Sequence, residues 1–105
     1  MSSRYTSLGR FSEPTLFILI SLTNGNKHGY AIMEDIEESY DIKIGPGTLY
    51  GAISRMEKMG LIKAVPSQSR RQPYQITSEG KELLQEKLKE MERIATIGLQ
   101  RLGLT

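Results

Sequence analysis

A mostly α-helical fold with a small β-hairpin, built as a winged helix-turn-helix plus a long C-terminal dimerisation helix, is what three observations predict. Within the first 60 residues, three segments place apolar side chains at helical spacing. Two short β-prone runs then flank a basic loop with a proline at each end. After them, residues 78–102 meet no helix breaker between Gly80 in the first turn and Gly98.

Taken in order, residues 1–11 carry Arg4 and Arg10, no acid and several Ser and Thr, and read as a mobile arm. Ser12 suits an N-cap, with Glu13 and Pro14 in the first turn, where the dipole and the missing amide favour them. The first helix then runs to about Thr23 through Leu16, Phe17, Ile18, Leu19, Ile20 and Leu22; it is apolar nearly all round and needs cover on more than one side. The Asn-Gly-Asn at 24–26 ends it.

The second helix starts near His28–Tyr30, with Ile32, Met33, Ile36 and Tyr40 on one face and acids on the other. A third opens at Gly45-Pro46-Gly47 and stops at Gly60, a good residue just past a helix end. "LIKAV" (61–65) and "YQIT" (74–77) are the strand candidates, and Thr77 can cap the fourth helix. These elements divide the chain into a winged helix-turn-helix domain at 1–77 and a C-terminal dimerisation helix at 78–105.

Composition narrows the chemistry. With 105 residues and 38% hydrophobic side chains, the core is modest, and a small chain with surplus apolar surface often buries it in a second copy. There is no cysteine, and a lone histidine, so neither a disulfide framework nor a metal site is expected, nor any cofactor. The most apolar stretch, Leu16–Leu22, is too short for a membrane span and lacks the lead-in of a signal peptide; a soluble, cytoplasmic protein is expected. Net charge is only +2, yet it is polarised. Five of the twelve acids (Glu34, Asp35, Glu37, Glu38, Asp41) fall in residues 31–42, which hold no base. The remainder carries all 14 bases against seven acids, so the acidic helix is kept away from whatever the basic remainder meets.

The third helix carries the functional signal. On a wheel, Leu49, Ile53, Met56 and Gly60 gather with Ala52 into a buried stripe. The opposite side collects Gly47, Gly51, Ser54 and Lys58, flanked by Thr48, Tyr50 and Arg55. An ordinary solvated face would carry Glu, Lys, Gln and Ala; an interior glycine instead costs about 1 kcal/mol of helix stability. Close approach of another molecule offsets that cost. Hydroxyls and helix N-terminal amides donate to phosphate, Lys and Arg neutralise it, and Arg reads guanine in the major groove. The bland alternative makes Gly47 a cap and has Gly51 relieve crowding against the first or second helix. Immediately behind lies the wing loop, with no acid between Pro66 and Gln75. Its Arg70 and Arg71 suit phosphates or a minor groove, and Gln72 adds a backbone contact.

"HGYAIMEDIEE", "GPGTLYGAISRMEKMGLI" and "RRQPYQITSEGKELL", in this order and spacing, resemble the PadR family of bacterial transcriptional regulators. The resemblance covers roughly residues 13–90, and Gly-Thr-Leu-Tyr is its most specific part. It implies a winged-helix homodimer on operator DNA, usually a repressor, released by a small and often aromatic effector; the single C-terminal helix is similar to the short subfamily. Members with flat multidrug pockets use an interface tryptophan, and this chain has none, so the resemblance does not extend to that pocket.

The fourth helix repeats Leu84, Leu88, Met91, Ala95, Gly98 and Leu102 at alternating spacings of four and three, with Leu99 widening the seam. This is the pattern of helix pairing and predicts a homodimer built from the first and fourth helices. Leu83, Ile94 and Ile97 form a secondary flank, and Gly98 weakens the last turns. His28 is expected to cap or pack, and Tyr30 to lie in the core. The rival reading is a winged-helix protein-interaction module that never touches DNA. An enzyme is not expected: there is no nucleophile–histidine pairing, glycine-rich phosphate loop or carboxylate pair in a likely cleft.

Overall fold

Helix α1 (Thr15–Leu22) has no polar face, and the chain wraps it accordingly. In the computed structural model, which describes residues 14–104, α1 packs against α2 (Gly29–Tyr40), α3 (Pro46–Lys58), strand β3 (Pro73–Ile76) and α4 (Ser78–Arg101). The arm expected at 1–11 and the cap expected at Ser12–Glu13 lie outside the described residues. Ile18, Leu19 and Leu22 are buried, and Leu16, Phe17 and Ile20 partly so. Each fully buried side chain of this size contributes about 1.5–3 kcal/mol.

The turn after α1 is pinned by Lys27, whose Nζ donates to the Ser21 carbonyl and to Asn24 Oδ1 at 2.6 Å. It delivers a two-residue strand, β1 (Lys27–His28), that hydropathy did not signal. β1 pairs antiparallel with β3, which pairs on its other edge with β2 (Ile62–Ala64), giving a three-stranded sheet in the order β1-β3-β2. The expected hairpin is therefore two thirds of a sheet. The register places His28 opposite Pro73, at the root of the wing.

His28 also starts α2, its Nδ1 accepting from the Ala31 amide at 3.3 Å, as the capping expectation had it. Ile32 and Ile36 turn inward, and the acids Glu34, Glu37 and Glu38 outward. Tyr40, on the apolar face of the wheel, is 42% exposed and leans on the Phe17 ring at 4.9 Å between centroids. Asp41, at φ 57°, ends the helix, and an extended stretch leads to Gly45.

In α3 the predicted stripe is present: Leu49, Ala52, Ile53 and Met56 are all buried. Gly60 is the exception. It is exposed and takes φ +78°, a conformation open to glycine, so that its amide reaches the Glu57 carbonyl and the Leu61 amide the Met56 carbonyl. Thr77 then couples two helix ends: its Oγ1 donates to the Gly60 carbonyl at 2.6 Å and accepts from the Gly80 amide at 3.0 Å, capping α4. Leu84 of α4 completes the core. Beyond Glu86 the helix is exposed throughout and continues unbroken through Gly98 to Arg101, past the expected weak point. Its overhang stretches the molecule to 53 Å, against 29 and 21 Å in the other directions.

Candidate nucleic-acid interface

Burial of one side of α3 determines what the other side offers. Thr48, Tyr50, Ser54, Arg55 and Lys58 are exposed, as is Gly47, and Gly51 is half-buried. A Cβ added at Gly47 would meet nothing within 4 Å, and one at Gly51 only the Arg55 guanidinium at 3.6 Å. No packing against α1 or α2 calls for glycine at 51, so the crowding explanation fails. The helix opens with Gly45 as an extended N-cap without a side-chain bond, followed by Pro46 and no acid in the first turn. Its positive end is left open.

The loop joining β2 to β3 folds on its own hydroxyls. The Ser69 amide donates to Ser67 Oγ and the Arg71 amide to Ser69 Oγ, both at 3.1 Å. Gln72 Nε2 donates to the Val65 and Pro73 carbonyls, each at 2.8 Å, and so clamps the two strands at the base of the wing. That leaves only its carbonyl oxygen for another molecule, and an acceptor does not suit phosphate. Arg70 and Arg71 remain exposed at the tip.

Between wing and helices lies a cleft of about 290 Å³, lined by residues 28–30 at the start of α2, Tyr50 of α3, Arg70–Gln72 and Tyr74. Tyr50 sits there because residue 29 is glycine: a Cβ on Gly29 would overlap the tyrosine ring. Burial, then Glu57 and Tyr50, raise the Tyr74 phenol above its ordinary range, so it stays a neutral donor. Tyr30, expected in the core, is instead 54% exposed, because the first turn of α2 points at the wing rather than at α1. Arg71 Nη1 lies 3.1 Å from His28 Nε2, a contact across 43 residues that no local pattern announces.

On α4, Leu84 belongs to the core of its own protomer, whereas Leu88, Met91, Ile94, Ile97, Leu99 and Leu102 are 40–73% exposed, and Ala95 is exposed beside them. Among the described residues, no group of three or more His, Cys, Asp or Glu side chains could hold a metal ion, and no helix is long and apolar enough to cross a membrane.

Residues 18–86 match the transcriptional regulator PadR-like family. A transcriptional regulator from Clostridium thermocellum is 32% identical, with a TM-score of 0.71 over 83% of this chain and 90% of that one. A PadR family transcription regulator from Clostridium difficile is 35% identical, with a TM-score of 0.71 over 83% and 97%. A PadR-like transcription factor from Bacteroides fragilis, 17% identical, shares the fold at a TM-score of 0.77 over 94% and 98%. An uncharacterised 37.1 kDa transposon protein of Streptomyces fradiae is 35% identical over 86 residues, 82% of this chain, and the chain spans 25% of that relative's length. With an open-faced third helix, a basic wing and a family match running from the core of α1 into α4, the chain belongs to the PadR-like family of winged-helix, DNA-binding transcriptional regulators, which are not enzymes.

Proposed function

We propose that the protein binds an inverted-repeat operator as a homodimer and represses transcription by excluding polymerase, with release by a small aromatic or hydrophobic effector held between subunits. The observation that carries this reading is the face of α3. Thr48, Ser54, Arg55 and Lys58 are exposed, Tyr50 is exposed on one side while its ring rests over Gly29, and a Cβ would meet nothing at Gly47 and only the end of Arg55 at Gly51. A helix so built enters the major groove with its backbone close to the bases. Arg70 and Arg71 take flanking phosphates; Gln72 acts chiefly by holding the wing in shape.

The exposed apolar strip of α4 supports pairing of two copies. Two recognition helices in successive major grooves stand about 34–36 Å apart, and an effector between the subunits would alter that spacing. An electrophoretic shift on the DNA upstream of its own coding sequence, repeated at several salt concentrations, tests the reading. Binding should fall steeply with salt and prefer an inverted repeat over scrambled duplex. Salt-independent behaviour with no shifted band would leave a protein-interaction module instead.

A further inference from the structure

We propose that His28 holds Arg71 in the free protein, and that duplex binding in this cleft is coupled to protonation of the His28 ring. The inference rests on the DNA-binding reading above and adds to it a means by which pH tunes affinity.

Both ring nitrogens of His28 face donors. Nδ1 lies 3.3 Å from the Ala31 amide and Nε2 lies 3.1 Å from Arg71 Nη1. An amide N–H and a guanidinium can only donate, while a neutral imidazole carries one N–H and accepts at the other nitrogen alone. The two bonds therefore exclude one another. With the proton on Nε2, the helix cap is kept and Arg71 is turned away; with it on Nδ1, Arg71 is tethered and the cap is lost. An imidazolium accepts at neither, so in the free protein protonation costs whichever bond was held.

The surroundings sharpen this. Sharing the cleft with the ring are Arg70 and Arg71 from the wing, the phenols of Tyr50 from α3 and Tyr74 from β3, and Tyr30 on its own helix; of these, Arg71 touches it. Lys27 precedes it but spends its ammonium on Ser21 and Asn24. No carboxylate is among the described residues lining the cleft; Glu57 of α3 acts on Tyr74. An imidazolium here meets cations and phenols and lacks a counter-charge. A phosphate entering the cleft supplies one. It draws Arg71 off the ring, gives the Nε2–H an acceptor, and turns an unfavourable charge into a favourable one. DNA binding then takes up a proton at His28, and affinity falls as pH rises. His28 is the one histidine of the chain, so the imidazole effect has a single source.

The test compares the full chain with His28→Asn, which keeps an N-cap acceptor but cannot titrate. Fluorescence anisotropy is read from about pH 5.5 to 8.5 at constant ionic strength, with the upstream duplex and with an unrelated duplex. The wild-type protein should lose up to about tenfold in affinity per pH unit for each proton taken up by the complex, on both duplexes, because phosphate carries no sequence. His28→Asn should give a flatter profile on both. In parallel, nitrogen NMR of the wild-type ring, held at one near-neutral pH, should move both ring nitrogens toward the protonated imidazolium position when duplex is added. Parallel pH profiles for the two proteins, or a ring that stays neutral on saturation with duplex, overturn the proposal while leaving DNA binding intact. Failure to bind either duplex at any pH overturns the DNA-binding reading, and the coupling with it.

Discussion

Two glycines in α3, at 47 and 51, lie on the helix face proposed to meet DNA, and neither is needed for packing within the protomer. In the free protein nothing occupies the space a side chain would take at Gly51 except the end of Arg55, 3.6 Å away. Gly51→Ala should therefore stabilise the protein, by up to about 1 kcal/mol from helix propensity, seen as a higher denaturant midpoint at unchanged slope. The same methyl stands where a base edge or sugar would approach, so duplex affinity should fall in the same variant. A rise in stability with unchanged affinity would remove Gly51 from the interface. This face was legible in the sequence because exposure on a helix follows from spacing alone. The placing of Tyr50 was not. It depends on Gly29, 21 residues earlier, leaving room for its ring, and the two are neighbours only once α2 crosses α3. Tyr30 misled for a related reason: an aromatic beside an apolar run reads as core, but the first turn of α2 faces the wing.

At the scale of elements, the helices could be placed from periodicity, and their ends from Pro46, Gly60 and Thr77, whose local chemistry acts without help from the rest of the chain. β1 could not. Two residues carry no period, and Lys27–His28 forms a strand only because β3 offers it an edge. The wing was visible as a basic loop between prolines, but its rigidity, from Ser67, Ser69 and Gln72 bonding within the loop, was not. Because its frame does not involve the guanidinium groups, replacing them should leave the wing standing. Arg70→Ala with Arg71→Ala should weaken binding to all duplex sequences alike and lower the salt slope by up to about two units per protomer, measured by anisotropy across a salt series. A loss confined to one base position would instead make an arginine a base reader. Where α4 meets the sheet, the outcome of a small substitution reverses. A Cβ at Gly80 would overlap the Leu61 carbonyl, a backbone atom that cannot swing aside, as well as Ile76. Gly80→Ala should cost about 1–3 kcal/mol despite alanine's better helix propensity, seen as a lower thermal midpoint.

For the whole molecule, what matters is how the long helix divides its apolar surface. Leu84 is spent inside the protomer, and a helix of 24 residues, about 36 Å long at helical rise, cannot be covered by the small domain at its start. The part that overhangs carries Leu88 and Met91 at 40% and 48% exposure, with further apolar residues toward the C-terminus. A strip of this kind suits the pairing of two copies proposed above. A seam that pairs two copies also fixes the distance between their recognition helices, so loss of the seam should cost affinity even though no residue that meets DNA has changed. Leu88→Lys with Met91→Lys tests this, since neither side chain contributes to the core and the winged domain should stay folded. Sedimentation should move from dimer to monomer. The midpoint of thermal unfolding should lose its dependence on protein concentration, as subunit linkage requires. Affinity for an inverted repeat should drop toward that for a single half-site, while affinity for the half-site itself stays the same. If the double variant still sediments as a dimer, pairing uses another surface, such as the half-buried Leu16, Phe17 and Ile20 of α1. If the wild-type protein is itself a monomer at micromolar concentration, the inverted-repeat operator has no physical basis, and a single winged domain reading one major groove takes its place.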